Sequence, residues 1–268
     1  MRAAPTLVTM TEKSEFESES AARHYAQARP GYPAELYDAL DDLLNGGLAG
    51  AHVVDVAAGT GIAARELAER GARVTAVELS AAMLGRLVAD SAGVAAVQGS
   101  GHALPLATHS ADLVGYAQAW HWMDKDLAIA EARRVLRPRG VLAAWWNVAD
   151  YGCDWQRAQS ERVGEAAPDW HRYAAVEVAA REGLVPGRPT QAFEFRWERT
   201  ISIETHLANL ASMSYISGLD DEGAGFLGRE RAVLNGLFPD GRVTECYRTL
   251  LLASLVGAGL DASARQGS

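Results

Sequence analysis

Between His52 and Asn147, short apolar runs alternate with stretches whose apolar residues recur at helical spacing. The runs predict strands at 52–57, 73–77, 94–98, 111–117 and 140–146. The amphipathic stretches predict helices at 62–70, from an N-cap at Ser80 to about Asp90, and from about Lys125 to Leu136, where Pro138-Arg139-Gly140 stops the last. Strand and helix in regular succession imply an α/β fold with a doubly wound, mostly parallel sheet, which binds its ligand at the carboxyl ends of the strands. Ahead of the sheet, an Ala-rich helix from Ser20 to Ala28 and a second from Glu35 to Leu44 flank the breaker Arg29-Pro30-Gly31-Tyr32-Pro33.

After Asn147 the alternation loosens. Trp155–Ala166 and Trp170–Arg181 read as helices, Ala192–Arg199 as a strand, Glu204–Ile216 and Gly228–Leu237 as helices, and Glu245–Ser254 as a closing strand. The helices between these two strands are placed as a lid. The expected organisation is a flexible tail at 1–17, a ligand-binding core with N-terminal helices at 18–150, and C-terminal strands and helical lid at 151–260 completing the same domain. The last eight residues read as frayed.

A chain of 268 residues buries one sizeable core with room for such an appendage. Its net charge of −9 argues against a nucleic-acid partner, because phosphate backbones are held by clustered Lys and Arg. A small molecule is the expected substrate. No apolar run approaches the roughly 20 residues that span a bilayer, and no basic segment with an apolar h-region opens the chain, so a cytoplasmic protein with no membrane partner is expected. Cys153 and Cys246 form neither a disulfide framework nor a zinc signature and read as incidental thiols.

The chemistry concentrates in VVDVAAGTGIAAREL, from Val53 to Leu67. An apolar run carrying one acid, Asp55, meets a turn at Gly59-Thr60-Gly61 and then a helix start, which presents backbone N–H groups to a ligand. A second acid, Glu78, ends the next apolar run, where a nucleotide-binding α/β unit places its ribose carboxylate. Gly59-Thr60-Gly61-Ile62-Ala63-Ala64 also satisfies a dinucleotide fingerprint of the G-x-G-x-x-A form. Asp55 breaks that tie, since a carboxylate at the mouth of the loop repels a pyrophosphate and suits the ammonium of S-adenosylmethionine. A merely local capping role for Asp55 is the competing reading.

These segments together resemble the class I S-adenosylmethionine-dependent methyltransferases, in particular the small-molecule, methyltransferase-11-type subgroup. VVDVAAGTG is similar to motif I and AVELSAAML to motif II; VQGSGHALPLATHSADLVGYAQAWHWMD resembles the third and fourth strands, and ARRVLRPRGVLAAWWN the helix, turn and fifth strand that follow. ARPGYP, from Ala28 to Pro33, resembles the arm that precedes the core in relatives with a His-Trp pair after strand four. The likeness covers roughly residues 23–147. It implies a Rossmann-like methyltransferase fold with S-adenosylmethionine as cofactor and S-adenosylhomocysteine as product. Three departures stand out: Ala57 replaces the first glycine of motif I, Ser100-Gly101-His102 replaces an acidic segment, and Arg139 replaces a turn glycine.

By position, the resemblance assigns Asp55 to the ammonium, Gly59 and Gly61 to close backbone approach beside Ala57 and Thr60, and Glu78 to both ribose hydroxyls. Leu79 and Met83 would pack the adenine, with ordinary core as the alternative, and backbone at Gly101 or the His102 imidazole would replace the missing acid near Ser100. Gln118 and Ala119 would lie near the reactive methyl. Four of the seven tryptophans, Trp120, Trp122, Trp145 and Trp146, fall at the expected rim of the site, where they suit a flat substrate or simply pack strand ends. His121 is the candidate general base, a structural histidine being the alternative. Tyr25, Arg29, Tyr32 and Asn147 complete the candidate substrate-binding set, with Arg29 pairing a substrate carboxylate or lying on a solvated face.

No cluster of ligands with metal spacing is present in the sequence, and no metal is expected. The expected reaction is in-line methyl transfer to an O, N or C nucleophile of a small molecule, in a biosynthetic setting. Two alternatives stay open: a methyltransferase-fold enzyme that no longer methylates, such as a cyclase, and a non-catalytic partner subunit, with a homodimer also possible. A nicotinamide-dependent oxidoreductase is a third.

Overall fold

The computed structural model describes residues 19–168 and 183–256. The expected tail at 1–17, the helix over Trp170–Arg181 and the frayed last eight residues lie outside the described residues. Seven strands form one sheet in the order β3-β2-β1-β4-β5-β7-β6. The strands are β1 (His52–Val56), β2 (Arg73–Glu78), β3 (Ala95–Gln98), β4 (Ala111–Ala117), β5 (Leu136–Ala149), β6 (Gln191–Ser202) and β7 (Arg242–Leu255). Strands β1 to β5 pair in parallel; β7 runs antiparallel to both β5 and β6. β1 and β4 are neighbours although β2 and β3 intervene in sequence, so the winding direction switches between them, the point at whose carboxyl ends sheets of this kind bind their ligands.

The helices in chain order are α1 (Glu19–Ala28), α2 (Ala34–Leu43), α3 (Ile62–Glu69), α4 (Ala81–Asp90), α5 (Lys125–Val135), α6 (Asp154–Ala166), α7 (Ile203–Ala211), α8 (Ser214–Ser217) and α9 (Asp220–Leu237). Their starts follow local chemistry. Ser80 caps α4 by accepting from the Met83 N–H, Asp124 caps α5 through Leu127, and Ser202 caps α7 through Thr205. β5 begins earlier than its apolar run because Leu136 already pairs with Ala111 before the ladder shifts register at Leu113. Arg139 carries the turn in between at φ +65°, the left-handed conformation a glycine holds more cheaply.

Side chains alternate across the sheet with a period of two, and each face has its own core. One face gathers Val54, Val56, Val77, Tyr116, Trp120 and Trp146; the other gathers Leu36, Tyr37, Leu67, Leu113, Val141 and Trp145. The adjacent tryptophans 145 and 146 therefore point to opposite faces. Gly115 makes room for the first of them, since a Cβ there would stand 2.7 Å from the Trp145 ring.

The helices expected as a lid form a packed layer with cores of their own, Val163 with Leu210, Ile216 and Phe226, and Ile203 with Leu207, Leu234 and Val243. Helix α7 leans on β6, β7 and α9. From this layer it is α1, at the start of the described chain, that spans across to α4. No described helix is long and apolar enough to cross a membrane.

Candidate active site

Asp55 lies inside β1, between Ala76 of β2 and Gly115 of β4, and is fully buried. Neither of its carboxylate oxygens meets a donor in good hydrogen-bond geometry, and the Ala64 backbone N–H is the one group near enough to favour its charge. Burial first and the charge of Glu78 second push its pKa up to about 7, with the Ala64 backbone N–H pulling weakly the other way. A buried carboxylate without a partner is costly, so this position asks for a cation or a donor.

The chain then turns through the left-handed region at Ala57 (φ +55°), Gly59 (φ +58°) and Gly61 (φ +81°) before α3 begins. Ala57 holds that conformation at a cost of about 1 kcal/mol or more. The two glycines differ in purpose. A Cβ at Gly59 would meet only open space, whereas one at Gly61 would stand 2.8 Å from Leu87 and 2.9 Å from Ser91. Gly61 thus also serves the packing of α3 on α4, and Gly59 is the open face of the loop.

Glu78 ends β2 with its carboxylate held at that loop: Gly59 N–H donates to Oε2 and Ser80 N–H to Oε1, both at 2.8 Å. Each oxygen keeps a lone pair for a further donor, such as one hydroxyl of a diol. Leu79 follows, 46% exposed, while Met83 is buried in the core. Only the first offers an apolar surface to a ring. Thr60 is buried with its hydroxyl unpartnered.

Around β3 and β4 several expectations change. The His102 imidazole accepts the Asp124 N–H at 2.9 Å, and Ser100 Oγ accepts the His102 N–H at 3.2 Å, so both side chains hold the loop ahead of α5. A Cβ on Gly101 would stand 2.8 Å from Met123 and from Val56, which makes this glycine a packing requirement too. Gln118, at φ +55°, donates from its side chain to Asn147 O, and Ala119 is buried.

Of the aromatic residues, Trp120, Trp145 and Trp146 are core, not rim; Trp122 alone of the four is exposed. Asn147 spends its amide on Gly31 O and Thr249 Oγ1, fastening the arm to the sheet. His121 accepts the Trp146 indole N–H at Nδ1 (3.2 Å), and burial with help from Lys125 lowers its pKa to about 4. The neutral ring must then carry its hydrogen on Nε2. In this arrangement it presents a donor at Nε2.

The arm before the sheet lies at the same end. The Tyr32 ring meets Trp145 edge-on at 6.2 Å, and its hydroxyl feels both the Asp55 and Arg29 charges. Arg29 stacks over Tyr25 at 4.7 Å and donates from Nη2 to Ser212 O, while its Nε is buried without a partner. No carboxylate pairs with it among the described residues.

A family model described as a methyltransferase domain matches residues 54–144. An uncharacterised methyltransferase of Mycobacterium tuberculosis is 36% identical over 197 residues, which span 73% of this chain and 76% of that protein. The chain belongs to the methyltransferase-11-type family. A solved structure from Anaeromyxobacter dehalogenans, assigned as a type II methyltransferase, superposes with a TM-score of 0.68 at 26% identity, over 86% of this chain and 99% of that one. The malonyl-[acyl-carrier protein] O-methyltransferase of Enterobacter lignolyticus is 40% identical over 101 residues, 37% of this chain and 40% of its own.

This methyltransferase also uses residues the sequence reading passed over. Tyr37 lies near Asp55 with a buried, unpartnered hydroxyl. Glu245, buried in β7, accepts from Arg199 and from the Tyr247 hydroxyl and bonds to His206, and Arg199 also donates to Ala28 O at the end of α1. The signal for Glu245 was present: it occupies an inward position in a strand whose alternate residues are apolar.

Proposed function

We propose that this methyltransferase takes its methyl group from S-adenosylmethionine and passes it to a small acid. The observation that carries the reading is Asp55, a fully buried carboxylate beside a glycine turn with no side-chain or cationic partner among the described residues. The residues present fit that cofactor: Asp55 for its ammonium, the remaining lone pairs of Glu78 for its ribose diol, the open side of Gly59 for its close approach, and exposed Leu79 for its adenine. Bound there, it supplies a methyl group already activated by a sulfonium. What remains for the chain is alignment and exclusion of water.

Two features favour an acceptor with a carboxylate. Arg29 is a cation without a carboxylate partner among the described residues, on the arm beside the Asp55 crevice. His121 presents a donor at Nε2, which suits a carboxylate, a nucleophile that arrives deprotonated. His121 then orients the acceptor.

Titration calorimetry tests the cofactor. S-adenosylmethionine is expected to bind, and Glu78→Ala to weaken it by about 10- to 100-fold, the worth of hydrogen bonds to a charged group. Binding of NADH in its place overturns the assignment. For the acceptor, S-adenosylhomocysteine release is followed with a panel of small carboxylic acids and their amides. Arg29→Ala is expected to raise KM for the acids by about tenfold at unchanged cofactor affinity. A fall in cofactor affinity with no change in KM would assign the guanidinium to the methionyl carboxylate instead.

A further inference from the structure

The two cysteines, far apart in sequence, meet where the cap layer leaves the sheet. After β5 the chain turns at Asp150, whose N–H donates to Cys246 O at 2.9 Å, and Asp150 O accepts the Cys153 N–H at 3.1 Å. Cys153 is the N-cap residue of α6. One turn into that helix, Gln156 grips both backbone groups of Cys246, donating from Nε2 to its O at 3.2 Å and accepting its N–H at Oε1 at 2.5 Å. This double clamp folds Cys153 over Cys246. The two thiols lie close enough to act on one another, and each residue is partly exposed. Nothing in the methyl-transfer site calls for them.

We propose that Cys153 and Cys246 are a redox-sensitive pair that closes into a reversible disulfide when the protein meets a peroxide. The Cys153 thiolate attacks one peroxide oxygen and breaks the O–O bond, giving a sulfenic acid and hydroxide. The Cys246 sulfur then displaces that oxygen, forming the S–S bond and releasing water; both thiols together are oxidised by two electrons and the peroxide is reduced. The division of labour follows from position. Cys153 stands at the N-cap of a helix of 13 residues, on the turn that leaves the sheet, and is partly exposed to an incoming peroxide. The Cys246 thiol is pushed up to about 12 by burial first and by Cys153 next, so it is the poorer first nucleophile toward peroxide; in the second step its proton leaves with the sulfenic oxygen as water.

The bond encloses α6, α7, α8, α9 and β6 in one covalent loop and staples the cap layer to β7, next to the buried Glu245 and Tyr247. Closing so long a loop restricts the unfolded chain more than the folded one. The oxidised protein is therefore expected to melt several degrees higher than the reduced one.

The test uses the full chain, whose only cysteines are these two. After hydrogen peroxide treatment and denaturation in N-ethylmaleimide, intact mass is expected to show loss of two hydrogens and no alkylation, reversed by dithiothreitol to two alkylations. Cys246→Ser is expected to stop at a Cys153 sulfenic acid trapped by dimedone, and Cys153→Ser to remain unreacted. Both variants should match the reduced wild type in melting temperature, which separates lost pairing from lost folding. The proposal is overturned by intermolecular dimers, by a Cys153 sulfinic acid with Cys246 still open to alkylation, or by no reaction at all.

Discussion

Asp55→Asn is expected to raise the melting temperature of the ligand-free protein at pH 8 while abolishing methyl transfer. The folded protein holds this carboxyl at about 7, against about 3.9 in an unfolded chain. Between those values the unfolded state has released a proton that the folded state retains, so stability falls as pH rises from about 4 to about 7 and levels off above. The ionised group then costs the empty fold about 4 kcal/mol. Asparagine removes the charge and leaves an unsatisfied amide, with a penalty of about 1–3 kcal/mol, so a net gain of about 1–3 kcal/mol is expected at pH 8 and none at pH 5. The same substitution removes the counter-charge for an ammonium, expected to cost about 3–5 kcal/mol in cofactor binding, or two to three decades and more in affinity. Thermal melts at the two pH values and calorimetry on the same samples check both halves. An unchanged affinity would remove Asp55 from the site.

Glu245→Ala is the substitution expected to damage the fold most. Burial alone would raise this carboxyl, yet the hydrogen bond and charge of His206, then Arg199, and the Tyr247 hydroxyl bring it down to about 2. Removing the acid leaves the Arg199 guanidinium and the His206 ring, 19% and 7% exposed at their side chains, without their shared acceptor. Loss of one member of such a buried group costs about 3–5 kcal/mol, a fall in melting temperature of about 10 °C for a chain of this size. Because the folded pKa is depressed, the stabilisation is present above the unfolded value of about 4.3 and is lost as pH falls through about 2. Glu194→Ala, on the exposed face of β6, is the control and is expected to shift stability by less than about 1 kcal/mol. Equal melting of the two variants would refute the role given to Glu245.

The sheet and the acid pair were legible because each leaves a local signature. Strands β1 to β4 are short apolar runs with turn residues on both sides, and an acid inside such a run has few explanations other than a partner. Other features depend on distant neighbours. Gly59 and Gly61 look alike in sequence, yet only the second is pressed by Leu87 and Ser91 from another helix. Trp145 and Trp146 read as a rim because the strand was expected to end there, whereas β5 continues to Ala149 and buries both. The His121 tautomer depends on an indole from the neighbouring strand, and the contact of Cys153 with Cys246 depends on the Gln156 clamp. No spacing rule encodes either.

The arm that precedes the sheet is fastened to the later part of the chain at three points: Arg29 to Ser212, Arg199 to Ala28, and Asn147 to Gly31. An engineer who grafts the cap layer of a homologue onto this scaffold to broaden acceptor choice must therefore transplant the 28–31 stretch along with it. A chimera that respects only the linear order of segments would inherit a mismatched seam right above the crevice.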